Sequence, residues 1–235
     1  VVAEKENAMT FIEGIAGFEA ALKKEKREER PKLDYLILKD GDSAMIQPLQ
    51  EIDPNSPAYN EEKGLGFLVY VHQSPYNWKR TGMCTMESQG QCLGCELNNK
   101  DIDPKTGKPR GWYPRKKFYI NVVDLGDNKV KVLSTSGASP ILASLIEFYK
   151  ENGPITQAVF KIARSGASKD DTIYSLTPSF RGEPVDLTSY EPQDARLGGV
   201  PEIPYDRQAN FYDYRTQQES ELVEAAARQS SSIWD

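Results

Sequence analysis

The 235-residue chain is predicted to be mainly β: an antiparallel barrel with one inserted helix, a small metal-bearing loop and helical extensions at both ends. Three observations predict it. Seven short stretches rich in β-branched and aromatic residues are separated by turns of Gly, Asp, Asn, Pro and Ser. Only one strong helical pattern falls between strand pairs, so the crossovers that a parallel sheet needs are missing. The one histidine and all three cysteines lie in the order His72, Cys84, Cys92, Cys95, within residues 72–95.

Taken in order, residues 10–29 read as an amphipathic helix. Thr10 and Glu13 form a capping box, Phe11, Ile15, Phe18 and Leu22 share one face, and Pro31 ends the pattern. Residues 33–38 and 43–49 are strand candidates in a hairpin around Asp40-Gly41-Asp42. A polar loop leads to the apolar strand 66–71, which delivers His72 to the metal loop. Strands 118–124 and 129–135 form a second hairpin at Gly126-Asp127-Asn128. Residues 139–152 carry full helix punctuation: Ser139 as N-cap, Pro140 in the first turn, Gly153 as terminator. Strands 155–163 and 172–177 make a third hairpin. The domain limits expected are a helical arm at 1–32, a core at 33–178, and an acidic linker with a tail helix at 179–235.

The four ligand-type residues predict one tetrahedral zinc ion. Imidazole nitrogen and thiolate sulfur suit zinc, and four protein ligands leave no open position, so the site is expected to be structural. Cys92-Leu93-Gly94-Cys95 is the knuckle, with Gly94 expected to permit its tight turn. No apolar run is long enough to cross a membrane and no secretory signal pattern is present, so a reducing cytoplasm is the expected setting.

The formal net charge is −6, but it is unevenly spread. Residues 183–235 carry 11 acidic and 4 basic residues, whereas residues 76–132 carry 11 basic and 6 acidic ones. Residues 105–119 interleave six basic side chains with Trp112, Tyr113, Phe118 and Tyr119, and residues 76–80 repeat the theme with Tyr76, Trp78, Lys79 and Arg80. Cationic groups pair with phosphates and aromatic faces stack on unpaired bases, so the pattern points to single-stranded nucleic acid. Phe118 alternates with Ile120 and Val122 and reads as core.

These parts together resemble the zinc-containing single-stranded-DNA-binding, helix-destabilising protein of tailed bacteriophages. The likeness rests on the His72, Cys84, Cys92, Cys95 array after Gly66-Phe67-Leu68-Val69-Tyr70-Val71, on Trp112-Tyr113-Pro114-Arg115-Lys116-Lys117 leading into Phe118-Tyr119-Ile120-Asn121-Val122, and on an acidic tail. It spans residues 33–178 and implies an OB-fold with a zinc subdomain beside the DNA cleft. It also implies cooperative coating of unwound DNA, with self-association along the strand, and tail contacts with replication or recombination proteins. DNA contacts carry over onto Lys79, Arg80, Arg110, Trp112, Tyr113, Arg115, Lys116, Lys117 and Tyr119, with Trp78 and Tyr76 beside them. Ile233-Trp234-Asp235 reads either as a docking anchor for a partner or as a plug into the chain's own domain. The family opens on a short basic arm, whereas residues 1–62 here are acidic on balance.

Enzyme chemistry finds little support. The only histidine and every thiol are assigned to the metal, and neither a phosphate-cradling Gly-Lys-Ser/Thr loop nor a nucleophile elbow is present. The rival to DNA binding is a zinc-stabilised interaction module that docks on a replication or transcription enzyme.

Overall fold

A computed structural model describes residues 31–167 and 171–214. The predicted arm at 10–29, the tail helix at 216–229 and Ile233-Trp234-Asp235 lie outside the described residues. The chain divides after Pro31, and the second unit, from Lys32 onward, contains every strand among the described residues.

The strands are Ser43–Pro48 (β1), Phe67–Gln73 (β2), Thr81–Met83 (β3), Arg115–Asp124 (β4), Lys129–Ser136 (β5), Phe160–Ser165 (β6) and Ile173–Pro178 (β7). The helices are Met86–Gln89 (α1), Leu93–Leu97 (α2), Pro140–Asn152 (α3), Ala195–Gly199 (α4) and Tyr205–Phe211 (α5). All strands join one antiparallel sheet in the order β3-β2-β4-β1-β6-β7, with β5 on the other edge of β4. The expected barrel is not seen, because the path of pairs runs open from β3 to β7. Two edges are covered locally instead. Residues 34–36 run along β5, with Val132 N–H donating to Asp34 O at 2.7 Å and Leu36 N–H to Val132 O at 3.0 Å. On β3, Met83 N–H donates to Pro201 O at 3.0 Å.

The contact with β5 corrects the first expected hairpin. Residues 33–38 do not pair with β1, because β4 and β6 occupy both edges of that strand. They meet β5 in parallel at Tyr35 and Val132. The last predicted strand pair is shorter than expected, since residues Ile155–Gln157 form a turn of 3₁₀ helix before β6 begins.

β4 is the central strand. Along one edge it pairs with β2 through residues 115–119 and then with β1 through 122–124, while β5 takes the other edge from 117 to 124. Side chains alternate across a strand. Phe118, Ile120 and Val122 therefore join Ile46, Leu133, Phe160 and Ile162 in a core closed by Ile141 and Leu145 of α3. That helix starts where Ser139 Oγ accepts from Ile141 N–H at 3.2 Å and stops at Gly153, whose φ is +89°. Phe148 sets its ring edge-on to Phe160 at 4.9 Å.

The opposite face carries Val71, Tyr119 and Val132, covered by Ala195 and Val200. Residues 179–214, expected to be a linker, are thus packed on the sheet for much of their length. Their proline and glycine content hid a strap held by polar pairs. Asn121, 2% exposed, accepts from Gln193 N–H at 3.0 Å and donates to Gln193 O at 3.0 Å. Gln193 in turn donates to Val130 O at 2.6 Å and accepts from Asp34 N–H at 2.7 Å. Gln47 reaches Thr156 O and both peptide groups of Val185 in the same way. Among the described residues no helix is long and apolar enough to cross a membrane.

Burial of unpaired amides sets the expected cost of breaking the strap. Asn121→Ala strands both peptide groups of Gln193 and is expected to lower stability by about 1–3 kcal/mol. Urea denaturation reads this as a lower midpoint, and trypsin is expected to cut sooner at Arg196.

Candidate metal centre and basic rim

The ladder itself brings the first two ligands together. His72 pairs with Gly82 in β2–β3, and Cys84 N–H extends the pairing by donating to Tyr70 O at 2.8 Å. Cys92 and Cys95 bracket the start of α2. One ligand atom from each of His72, Cys84, Cys92 and Cys95 lies within 4.8 Å of all the others. Cys84 Sγ is 3.5 Å from Cys95 Sγ, and Cys95 Sγ is 3.3 Å from His72 Nε2. A tetrahedron built on zinc–sulfur and zinc–nitrogen bonds of ordinary length has edges of about 3.8 Å and about 3.6 Å. These two spacings fall within a few tenths of an ångström of such a shell, and the four side chains can hold one metal ion.

The shell is supported from behind. His72 is fully buried, and its Nδ1–H donates to Trp112 O at 2.6 Å, which leaves Nε2 as the ligand atom. Trp112 is positioned in turn by Asp101, which accepts from Trp112 Nε1–H at 2.7 Å and from Tyr76 Oη–H at 2.8 Å. Gly94 matters for a reason other than the one expected. Its φ is not in the left-handed region; a Cβ there would sit 2.3 Å from His72 Cγ, so glycine is required for the imidazole to pack on the knuckle.

The thiols conflict with one another when they share this space without a cation. Burial raises the Cys84 thiol. Burial and then the neighbouring Cys84 push Cys95 up to about 12. Burial also works against Cys92, but hydrogen bonds from His72 and from the backbone N–H groups of Cys95 and Thr85 prevail and bring it down to about 6. One thiolate is easily formed and three are not. A metal cation held between them would supply the positive charge that lets all three ionise together.

The residues expected to touch nucleic acid separate into two groups. Trp112 is 1% exposed and lies edge-on to Tyr212 at 5.4 Å, while Tyr119 is 2% exposed and stacks on Phe67 at 5.3 Å. Both rings belong to the packing, which corrects their expected role as open stacking faces. Arg110 is also engaged, with Nε 3.3 Å from Asp101 and its guanidinium 5.3 Å from the Tyr76 ring. Lys117 is part-buried, and its amine is held below its ordinary value first by burial and then by the charge of Arg115.

The remaining residues lie at the start of β4, where Arg115 and Lys116 alternate to opposite faces of the strand, and on the loop after β2. Arg115 lies over Tyr113 at 4.7 Å and donates to Tyr113 Oη at 2.9 Å. Lys116 sits opposite Tyr70 in the ladder, 5.4 Å above its ring. Lys79 lies 5.5 Å from Trp78, which is 73% exposed. Arg80 is half-buried over Phe211 at 5.6 Å. None of the ion pairs among the described residues involves Lys79, Arg80, Arg115, Lys116 or Lys117. Tyr70 was absent from the expected contacts because its alternation with Val69 and Val71 reads as an ordinary strand. So were Gln208 and Tyr212, although Tyr205, Gln208, Ala209 and Tyr212 fall at helical spacing just after Pro204.

No family model matches the chain, and no curated protein or solved structure shows significant similarity to it.

Purified protein is expected to carry one divalent ion per chain by elemental analysis. Gly94→Ala is expected to lower ion affinity at least about tenfold by displacing His72, the scale reached when ligand-orienting groups are lost. Retention should also weaken as pH falls, because protons compete for the same sulfurs; a chelator competition at two pH values measures both effects.

Proposed function

We propose that the protein binds single-stranded DNA without sequence preference, and that one structural zinc ion shapes the loops beside the binding surface. One observation carries the reading. Arg115 and Lys116 are exposed and unpaired with any carboxylate among the described residues, and each lies over an exposed tyrosine ring, Tyr113 or Tyr70. Cations without acidic partners suit phosphates, and exposed rings suit the faces of unpaired bases. Duplex DNA keeps those faces stacked, so the combination favours single strands.

Zinc is the ion proposed because three sulfurs and one imidazole select it over the hard, oxygen-seeking magnesium and calcium. An OB-fold-like layout, partly open, is supported by the way β2 and β1 follow one another along a single edge of β4. The stacking faces in this reading are Tyr70, Trp78 and Tyr113 rather than Trp112 and Tyr119. Lys117 lines the same strand behind Arg115. Contacts with replication or recombination proteins are assigned to Ile233, Trp234 and Asp235.

The charge of the C-terminal region is divided. Residues 183–214 hold seven acidic and two basic residues, a net of −5, whereas residues 215–235 hold four acidic and two basic ones, a net of −2. Most of this acidity belongs to the packed strap.

The test is a gel shift of single against double strands at two salt concentrations. Single strands should bind more tightly, and affinity should fall with salt. Arg115→Ala and Lys116→Ala should each flatten the logarithmic salt slope by about 0.7. Tyr113→Ala should cost about 1–3 kcal/mol of binding. Oligonucleotide should quench Trp78, so Trp78→Phe should remove most of the quench while Trp112→Phe keeps it. Indifference to oligo-dT at low salt would defeat the proposal.

A further inference from the structure

Gln208 is the buried side chain of α5 and has no exposed surface. An amide so placed is costly unless its groups are paired. Here Nε2–H donates to Thr85 Oγ1 at 2.8 Å and to Ile203 O at 2.9 Å, while Oε1 accepts from Leu93 N–H at 2.8 Å. Thr85 follows Cys84 and Leu93 follows Cys92. One side chain thus ties both cysteine-bearing segments to a helix more than a hundred residues away.

Its neighbours repeat the pattern. Glu202 accepts from Ser88 at 2.5 Å and from Gln89 at 3.1 Å, and Tyr205 Oη–H donates to Glu96 at 2.6 Å. Tyr212 lies against Trp112, whose carbonyl orients His72. Gly82 lacks the Cβ that would meet Tyr212 Oη at 2.7 Å.

The end of the same segment holds the loop that presents Trp78 and Lys79. Ser74 Oγ–H donates to Tyr212 O at 2.5 Å, and Asn77 Nδ2–H to Asp213 Oδ2 at 2.7 Å. Arg80 lies over Phe211, and Tyr76 packs edge-on to Tyr214 at 6.1 Å.

We propose that residues 200–214 are a clasp that couples occupancy of the metal centre to the placement of the Trp78–Lys79 loop, with Gln208 as its positioning residue. The proposal rests on the zinc and single-strand reading above. Ion binding fixes the segments after Cys84 and Cys92; those segments seat Gln208; α5 then sets residues 211–214 beneath the loop. Coupling between two binding events is reciprocal, so oligonucleotide should also strengthen ion retention by the same factor.

The full chain with Gln208→Leu, which keeps the volume and loses every hydrogen bond, is expected to bind zinc about 10–100-fold more weakly in a chelator competition. Gln208→Glu, which keeps the acceptor for Leu93, should fall between it and the parent. With zinc present, Gln208→Leu should also bind oligo-dT more weakly; after zinc is chelated, parent and variant should bind alike. That convergence separates coupling from a general loss of structure. Unchanged zinc affinity in Gln208→Leu, or losses that simply add, would overturn the clasp. Hydrogen exchange on the unmutated protein provides a second reading: chelation should speed exchange in residues 74–80 and 203–214 while β4 and β5 stay protected, and unchanged protection there would also overturn it. If the parent ignores oligo-dT altogether, the DNA reading falls, while the chelator competition and the exchange data still decide the clasp.

Discussion

Three sulfurs and an imidazole crowded within 4.8 Å form the constraint on which this half of the molecule depends. Neutral thiols have little reason to gather at such spacing, since they are weak hydrogen-bond donors. Thiolates have strong reason to avoid it: burial and then Cys84 raise Cys95, while against its own burial Cys92 is lowered by hydrogen bonds from His72 and backbone N–H groups. A metal ion held there would resolve it and tie four separate segments together. β2, β3, the knuckle and, through Gln208, the C-terminal strap all meet at this point. Few apolar contacts could perform this task, because the segment from residue 74 to 111 is rich in polar residues and poor in large apolar ones.

Aromatic residues near the centre divide between holding it and facing outward. Trp112 and Tyr212 are the two largest side chains among those fully buried, and they pack edge-on to each other beside the ligands. Each ring fully removed from water contributes on the order of a few kcal/mol. A ring committed to that role cannot leave to stack on a base without giving the stabilisation up. Tyr70, Tyr113 and Trp78 have no such commitment, at 44%, 52% and 73% exposure. Each lies beside a cation instead. These rings stay partly exposed even with the cation beside them.

Legibility in the sequence followed the range of the interaction. Local signals were sufficient for β1, β2, β4 and β5, and for α3 with its Ser139 cap and Gly153 stop. The ligand array was legible because cysteine and histidine are scarce and occur nowhere else. β3 was not, since three residues centred on Gly82 are too few to show a period of two. The parallel contact of Tyr35 with Val132 was also hidden, because an Asp-Gly-Asp turn signals a hairpin whether or not the partner edge is free. Basic–aromatic interleaving marked the right segment, but Trp112 and Tyr113 are adjacent, and only the fold decides that the first turns inward to Asp101 while the second turns outward to Arg115. The strap was misjudged because its anchors are polar: Gln193, Gln208 and their partners look like solvated residues until their positions across the sheet are known.

The positions of several acidic residues are set by hydrogen bonds or ion pairs, some of them on the strap. Glu191 meets Lys63, Glu202 meets Ser88 and Gln89, and Asp213 meets Asn77. Asp101 holds Arg110, Tyr76 and Trp112, while Asp124 and Asp127 share Lys131. Each of these carboxylates has a local donor that fixes its direction. The cations at the start of β4 have no comparable acid, and the lowered affinity of Lys117 for its proton records their mutual repulsion on top of burial. Screening at physiological salt limits charge interactions to about 8 Å. A polyanion approaching this edge therefore responds to Arg115, Lys116 and Lys117 much more than to the total of −6. Among the described residues, Arg115, Lys116 and Lys117 are three neighbouring cations that join none of the ion pairs.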